Sequence, residues 1–208
     1  MLVVKIIAVA VLGYLLGSIN SSLIIGKFYG VDVRQHGSGN AGATNTLRTL
    51  GKSAAILVTL GDILKGIIAC IAGHYIIGDV KDIGNLGLMI GGVTAIIGHN
   101  WPLYFGFKGG KGILTTFSVI MMMDWRIGLI LLGVFIIVLL ISRYVSLGSI
   151  IGAALFPIVG AIPVFNNSST FVVFAIAVAF LAIIRHRANI ERLFKGTESK
   201  LWGSGKKG

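Results

Sequence analysis

Three polar patches hold most of the side chains and backbone groups that could do chemistry in this chain of 208 residues. They are loop 1 (residues 36–48), loop 2 (residues 106–112) and patch 3 (residues 185–192). Loops 1 and 2 are rich in glycine, which lets backbone N–H groups approach a ligand closely, and their lysine and arginine residues add positive charge. The two loops therefore predict a surface that holds an anion such as phosphate.

Loop 1 contains the spacing G-x-G-x-x-G, which is formally the dinucleotide-binding fingerprint. That fingerprint needs a strand before it and a helix after it, whereas an apolar helix and a charged segment precede loop 1, so we do not expect a Rossmann site. Arg48 offers a bidentate fork for phosphate or carboxylate. The alternative interpretation is a flexible polar loop with an ordinary cytoplasmic arginine. The expected phosphate-binding residues of loop 1 are Gly37, Gly39, Asn40, Thr44, Asn45 and Arg48, with Ser38 as a further side-chain donor.

Loop 2 places two lysines among four glycines. It is not a Walker A loop, because Phe105 and Gly112 occupy positions where that motif has Gly and Ser or Thr. Its N–H groups still suit a phosphate, and the helix expected from Ile113 would point its positive dipole end at the same place. The alternative is a basic loop that lies on lipid headgroups. The expected phosphate-binding residues of loop 2 are Lys108, Gly109, Gly110, Lys111 and Gly112.

Patch 3 follows the last apolar segment. At helical spacing Arg185, His186 and Asn189 can share one face, and Arg187 adds a further cation for phosphate. A positive flank of a membrane span would explain the arginines without a function, but not His186 and Asn189. Ser149 lies at another corner, where it could donate into a site or simply cap a helix.

Other polar residues suggest structure rather than catalysis. Asp62 and Lys65 lie three positions apart within an apolar segment, which predicts a mutual ion pair near the glycine-rich loops. His36, His99 and Asp124 are assigned structural roles. No metal cluster, Ser-His-Asp set or nucleophilic cysteine can be assembled from the sequence, so an enzyme of this kind would act by positioning and charge stabilisation on an already activated donor.

The elements that carry these patches are apolar. Hydrophobic residues make up 55% and charged residues 12% of the chain, and the mean hydropathy is +0.93, whereas soluble domains carry about 25% charged residues. This composition predicts an integral membrane protein, with a single domain over residues 1–208. The net charge of +11 does not indicate nucleic acid, because the basic residues lie in short loops beside apolar segments, where they favour cytoplasmic retention and contact with anionic lipid.

The predicted fold is an all-α polytopic bundle of about seven membrane-spanning helices. The candidate spans are residues 2–26, 53–77, 83–103, 113–123, 127–141, 147–165 and 170–184, of which 113–123 and 127–141 are short. Cytoplasmic loops carry the excess of Lys and Arg, so the charge count places the N-terminus outside, the C-terminus in the cytoplasm and the glycine-rich loops on the cytoplasmic face. That arrangement puts 14 cations inside and only Lys5, Lys81 and Arg126 outside; the inside set is Lys27, Arg34, Arg48, Lys52, Lys108, Lys111, Arg143, Arg185, Arg187, Arg192, Lys195, Lys200, Lys206 and Lys207.

Three motifs resemble those of the bacterial acyl-phosphate-dependent glycerol-3-phosphate acyltransferases. They are GSGNAGATN at 37–45, GFKGGKG at 106–112 and RHRxNI at 185–190, and the resemblance covers almost the whole chain. The chain departs from the family pattern at Ala188, where the family usually has an acidic residue, whereas Glu198 matches the family's tail. The departure puts a contact at a helix end in doubt more than the chemistry.

The resemblance implies a multi-pass protein of the bacterial inner membrane whose active site faces the cytoplasm. It implies transfer of an acyl group from acyl phosphate to the sn-1 hydroxyl of glycerol 3-phosphate, which gives lysophosphatidic acid and phosphate in the first acylation of phospholipid synthesis. The expected partners are these two substrates and membrane lipids, without a metal, cofactor or nucleic acid. By motif position the polar site would comprise Ser38, Arg48, Lys111, Ser149, His186 and Asn189, with Ser38, His186 and Asn189 as the catalytic residues.

Within that resemblance we interpret Arg48, Lys111 and the loop N–H groups as holding the two phosphates. His186 and Asn189 would orient the glycerol hydroxyl, and the departing phosphoryl group would take the hydroxyl proton. The alternative function is a small phosphate-compound transporter or anion channel lined by the same loops. A channel would need polar residues that continue through the spans, and apart from Asp62 and Lys65 the spans show few.

Overall fold

The computed structural model describes residues 1–81, 83–165 and 167–202. The cations Lys206 and Lys207 of the charge count lie outside these residues. The chain forms two compact units, Met1–Trp125 and 126–202. The single domain expected from the sequence stays a prediction.

The first unit contains six α-helices: α1 Leu2–Ser18, α2 Ser21–Phe28, α3 Ala43–Leu50, α4 Lys52–Ile76, α5 Leu86–Asn100 and α6 Ile113–Met123. Helices α1, α4 and α5 pack together around small residues. Gly17 of α1 lies against the backbone of Ala95, and Gly73 of α4 lies against the backbone of Gly87 in α5, so closely that a Cβ atom at either glycine would collide with a carbonyl group. The small residues of the spans therefore allow the backbone contact between helices that membrane proteins commonly use.

The first predicted span is broken rather than continuous. Helix α1 ends at Ser18, Ile19 and Asn20 have extended backbone, and α2 begins at Ser21. The break has its own cap, because the buried Asn20 side chain accepts a hydrogen bond from the Leu23 N–H (3.0 Å). The predicted span over 2–26 is helical on both sides of this break, and the sequence did not indicate the break itself.

The second unit contains α7 Trp125–Ser142, of which Trp125 belongs to the first unit, followed by α8 Val145–Gly160, α9 Ser169–Arg185 and α10 Arg187–Phe194. Helices α8 and α9 pack through aromatic rings: the fully buried Phe156 makes edge-to-face contacts with Phe171 and Phe174 at centroid distances of 5.8 and 6.4 Å. The Arg126 guanidinium lies 5.2 Å from the centroid of the Phe165 ring.

The described residues confirm the all-α class, and each of the seven predicted apolar segments contains a helix. Helix α6 has the predicted bounds, residues 113–123. By length and composition, three helical stretches of the described chain are long enough to cross a membrane: Leu2–Phe28, Lys52–Ile76 and Trp125–Ser142. A fourth is added if α9 and α10, which bend by 59° at their junction, count as one span. The number of spans and the orientation of the termini stay predictions.

Candidate phosphate-binding site

Asn45 organises loop 1. Its side-chain NH2 donates to the carbonyl oxygens of Val33 (2.7 Å) and His36 (3.0 Å), and its Oδ1 accepts from the N–H (2.8 Å) and hydroxyl (3.2 Å) of Ser38. The residue is 1% exposed, so these four bonds replace those that water would make. Asn45, expected to bind phosphate, instead has its hydrogen-bonding capacity occupied by the loop itself and shapes the backbone around Ser38.

Glycines allow loop 1 to turn tightly over Asn45. Gly37 and Gly39 have φ of +58° and +69°, a region that side chains disfavour. A Cβ atom at Gly37 would collide with the Asn45 Oδ1, so only glycine fits between Asn45 and Ser38. The second half of loop 1 is helical, because α3 begins at Ala43 directly after Gly42, and Arg48 extends with an exposed side chain from the last turn of that helix.

Loop 2 lies against the end of α5. A Cβ atom at Gly109 would collide with the carbonyl oxygen of His99, and one at Gly110 would collide with His99 Nε2 and lie 2.5 Å from the carbonyl oxygen of Ala41. Loops 1 and 2 therefore meet at Ala41 and Gly110, with the His99 ring beside them. The sequence-based expectation that both loops contribute to one anion-holding surface is consistent with this contact.

Loop 2 also begins a helix, as predicted. Gly112 has a left-handed backbone (φ +72°) and precedes Ile113, the first residue of α6. The N-terminal N–H groups of an α-helix and its dipole favour a negatively charged ligand at this end. Lys108 is exposed and Lys111 is half-buried on either side of the two glycines at 109–110, so positive charge flanks the same stretch of backbone.

Arg34, which lies two residues before loop 1 in the chain, contacts loop 2, and the sequence did not reveal this contact. Its guanidinium donates to the Phe105 carbonyl (3.2 Å) and the Lys108 carbonyl (3.4 Å). Asp32 holds the guanidinium through Nε and Nη2 at 2.8–3.2 Å. The hydrogen bonds from Arg34 lower the pKa of Asp32 below its usual value although partial burial raises it, and the same bonds raise the pKa of Arg34.

A buried polar cluster, comprising Asp62, Lys65 and His99, lies within the helices of this unit. Lys65 Nζ donates to Asp62 Oδ1 (2.9 Å), to His99 Nδ1 (2.8 Å) and to the carbonyl oxygen of Ile19 at the helix break (3.0 Å). Asp62 also accepts from the Ser21 hydroxyl (3.0 Å). The predicted ion pair is confirmed, and the assignment of His99 as an ordinary structural histidine missed its place between that pair and loop 2.

The second unit holds the third set of predicted residues. Asn189 donates to Glu198 Oε1 (2.7 Å), which also accepts from the Ser146 hydroxyl (2.6 Å), and Arg192 Nε donates to Glu198 Oε2 (2.7 Å). Burial raises the pKa of Glu198, but the hydrogen bonds from Ser146, Asn189 and Arg192 outweigh burial, so its pKa lies below the usual value. Glu198 therefore organises Asn189, a role that the sequence suggested only through its match to the family's tail.

His186 lies at the junction of two helices rather than within one. It ends α9 and begins α10, and its buried ring places Nδ1 2.8 Å from the Ala182 carbonyl oxygen. A carbonyl can only accept, so Nδ1 carries a proton, and in the neutral ring Nε2 is the nitrogen with the lone pair. The prediction of one continuous helical face over 185–189 is wrong, because the chain bends by 59° between the two helices.

The remaining predicted residues are placed as follows. Ser149 lies in α8, where its hydroxyl donates to the Val145 carbonyl (2.9 Å) rather than capping the helix. Arg187 and Ala188 are exposed in the first turn of α10. Thr44 is half-buried in the first turn of α3, and Asn40 is half-buried in the loop before that helix. Across the part of the chain that the structure describes, no three His, Cys, Asp or Glu side chains lie close enough to hold a metal ion.

Fold and site together define a class: an apolar, all-helical protein whose polar surface includes two glycine-rich, basic loops in contact. The chain belongs to the glycerol-3-phosphate acyltransferase family, whose model matches residues 7–196. It is 47% identical over 193 residues to the glycerol-3-phosphate acyltransferase of Thermoanaerobacter sp. (strain X514), with 92% of this chain and 93% of the relative covered. Identity to the enzyme of that name from Clostridioides difficile (strain 630) is 42% over 204 residues, with 94% and 95% covered.

Solved structures also match over nearly the whole chain. The crystal structure of PlsY (YgiH), an integral membrane glycerol 3-phosphate acyltransferase, in its glycerol 3-phosphate form has a TM-score of 0.86 and 36% identity, and 96% of each chain is covered. The lysophosphatidic acid form of that protein has a TM-score of 0.84 with the same identity and coverage. The similarity therefore extends over nearly the whole chain in both sequence and fold.

Proposed function

We propose that this protein transfers an acyl group from acyl phosphate to the sn-1 hydroxyl of glycerol 3-phosphate, giving lysophosphatidic acid and inorganic phosphate. The observation that carries the proposal is the contact of loop 1 with loop 2 at Ala41 and Gly110, which brings the glycine-rich backbone, the α6 N-terminus and basic side chains together in one unit. Family membership and the forms in which PlsY was solved, with glycerol 3-phosphate and with lysophosphatidic acid, support the acceptor and the product.

Acyl phosphate is the donor that suits this chemistry. Both substrates then carry a phosphate group, and phosphate is a good leaving group, so the acyl carbon needs no covalent enzyme intermediate. Cys70, the one cysteine of the chain, is buried among apolar residues and is not placed to act as a nucleophile. Catalysis by positioning and by stabilisation of developing charge is consistent with such a site.

The step itself balances without a cofactor. The sn-1 oxygen of glycerol 3-phosphate attacks the acyl carbonyl carbon, the bond from that carbon to the phosphate oxygen breaks, and the hydroxyl proton leaves with the phosphate. Arg48, Lys111 and the N–H groups of loops 1 and 2 would neutralise the phosphates. In the second unit, His186 Nε2 is the nitrogen that can accept a hydrogen bond from a hydroxyl, and Asn189 is held by Glu198.

The arrangement in the membrane is part of the proposal. Seven helices would cross the bacterial inner membrane, with the N-terminus outside and loops 1 and 2 at the cytoplasmic surface, where acyl phosphate and glycerol 3-phosphate are reached. The excess of Lys and Arg in the segments assigned to the cytoplasm supports this orientation. Anionic lipid headgroups would contact the same basic loops.

The experiment is a two-product assay on the purified protein in liposomes. Acyl phosphate and glycerol 3-phosphate should give inorganic phosphate and lysophosphatidic acid in equal amounts, measured by a phosphate assay and by mass spectrometry. Arg48→Ala should lose most of this activity, whereas Lys5→Ala, which removes an exposed cation from α1, should keep it. Absence of turnover, equal rates with acyl-CoA, or phosphate flux across the liposome without acyl transfer would contradict the proposal, and the last result would favour the channel.

A further inference from the structure

The buried cluster in the first unit contacts the backbone of loop 2 through His99 and is connected to loop 1 through the helix break at residues 19–20. Its members come from two helices, Asp62 and Lys65 from α4 and His99 from α5, and none is more than 5% exposed. Burial of an ion pair is expensive unless every donor and acceptor is satisfied, and intramembrane charges usually serve a function. The connection to the loops indicates what that function is here.

Lys65 fixes the tautomer of His99. An ammonium group has three N–H donors, and Lys65 Nζ lies within hydrogen-bond distance of three acceptors: Asp62 Oδ1 at 2.9 Å, His99 Nδ1 at 2.8 Å and the Ile19 carbonyl oxygen at 3.0 Å. Because the ammonium group can only donate, His99 Nδ1 accepts from it, and Asp62 Oδ1 lies farther from Nδ1, at 3.6 Å. The neutral ring then carries its proton on Nε2, the nitrogen on the side of the loops.

His99 Nε2 lies where the loops meet. It is so close to Gly110 that no Cβ atom would fit there, and the Ala41 carbonyl oxygen lies 2.5 Å from the same Cβ position. The main chain of His99 adds a second contact, since the Gly110 N–H donates to the His99 carbonyl (3.2 Å). One residue thus contacts the loop 2 backbone through both its ring and its main chain.

The helix break supplies a parallel connection to loop 1. The Ile19 carbonyl accepts from Lys65, and the next residue, Asn20, donates from Nδ2 to the Ala41 carbonyl (3.4 Å). Ser21, the first residue after the break, donates to Asp62 (3.0 Å). The cluster therefore contacts the meeting point of the two loops from two directions, through His99 and through the break.

We propose that His99, held in one tautomer by Lys65 and Asp62, is a positioning residue that fixes loops 1 and 2 in the conformation that binds phosphate. This inference rests on the proposed function, since it assigns the loops to phosphate. His99 contacts neither substrate: it acts through the backbone of Gly110 and Ala41. Removing the polar atom at the Nε2 position should weaken phosphate binding. The helix core should stay folded if an atom at the Nδ1 position still accepts from Lys65.

A pair of substitutions separates the two sides of the ring. His99→Asn keeps a polar atom near the Nδ1 position, where it can accept from Lys65, but has nothing at the Nε2 position. His99→Gln places an amide N–H near the Nε2 position and so keeps the donor that faces the loops. His74, an exposed histidine at the end of α4, provides the matched controls His74→Asn and His74→Gln.

The measurements are the inhibition constant of inorganic phosphate, the KM of each substrate, kcat and the melting temperature. For His99→Asn we expect the phosphate inhibition constant and at least one KM to rise about tenfold, the effect typical of losing one polar contact that holds the loops. His99→Gln should stay within about threefold of the wild type, because its amide group occupies the Nε2 position beside Gly110. The His74 variants should match the wild type.

Equal effects of His99→Asn and His99→Gln, or an unchanged phosphate inhibition constant in folded His99→Asn, would overturn the inference. If His99→Asn does not purify as a monodisperse protein, Ser21→Ala replaces it: loss of the hydroxyl donor to Asp62 should raise the phosphate inhibition constant about threefold, and no change would overturn the inference. An inactive wild-type protein would instead refute the proposed function, so the two failures are distinguishable.

Discussion

Gly110→Ala is the substitution whose effect follows most directly from the geometry of the loops. The added Cβ atom would lie 2.5 Å from the Ala41 carbonyl oxygen, which is 0.9 Å less than the 3.4 Å at which ordinary contact begins, and it would collide with His99 Nε2 as well. Both neighbours are held in place, Ala41 by its backbone in loop 1 and His99 by Lys65 (2.8 Å). Loop 2 must therefore move by roughly the missing distance.

A displacement of about 1 Å in a positioned catalytic group costs on the order of 100-fold in rate. We expect kcat/KM of Gly110→Ala to fall by about that factor, and the free energy of unfolding to fall by about 1–3 kcal/mol, as is usual for an overpacked site. The assay is phosphate release at varied concentrations of each substrate, with a melting curve on the same preparation.

Gly133→Ala is the matched control. Gly133 lies in α7 with ordinary helical backbone and with no neighbouring atom within 4 Å of an added Cβ, so this variant should keep the wild-type kcat/KM. A folded Gly110→Ala protein with wild-type kcat/KM would refute the reasoning, because the contact between the two loops would then carry no catalytic consequence.

Three further predictions follow from particular contacts. Asn45→Asp replaces the NH2 that donates to Val33 and His36 by an acceptor, so it should cost about 1–3 kcal/mol of unfolding free energy and most of the activity, and a denaturation curve with no change would contradict the role of Asn45. Because the folded pKa of Glu198 lies below its usual 4.5, its stabilising contribution is present above that pH and is lost as the pH falls further. The melting temperature of the wild type should therefore drop below about pH 4.5, and that of Glu198→Gln should start lower and depend less on pH; equal pH profiles would contradict this. Glu191→Gln, which removes an exposed pair with Lys195 (2.6 Å), should leave the profile unchanged.

The sequence predicted the apolar helices well because lipid-facing residues must be apolar over a full helix length, a requirement that leaves a long and continuous signal. It did not predict the break at Ile19 and Asn20, since a single asparagine within an apolar run is a weak signal on its own. The fold explains the break. The Ile19 carbonyl accepts from Lys65, and the Asn20 side chain donates to the Ala41 carbonyl. The sequence did not predict the bend at His186 either, because the segments on both sides of it favour helix.

The candidate site was predicted at the level of loops and less well at the level of individual side chains. Glycine density and positive charge identified loops 1 and 2, because backbone N–H groups and cations are what phosphate requires. The same composition cannot show which polar side chain faces a ligand and which holds the loop, so Asn45 was placed among the ligands. Arg34 reaches loop 2 across a long sequence separation, and His99 is held by Lys65 across another, so only the folded chain reveals their roles.

The most direct measurement is the position of a phosphate group in a crystal structure of this protein with glycerol 3-phosphate or inorganic phosphate. If loops 1 and 2 hold phosphate, density for the phosphorus atom should lie beside residues 37–42 or 109–112, with Arg48 or Lys111 as a charged partner. The assignment would be contradicted if phosphate were bound elsewhere while loops 1 and 2 stayed in contact at Ala41 and Gly110 and held no ligand.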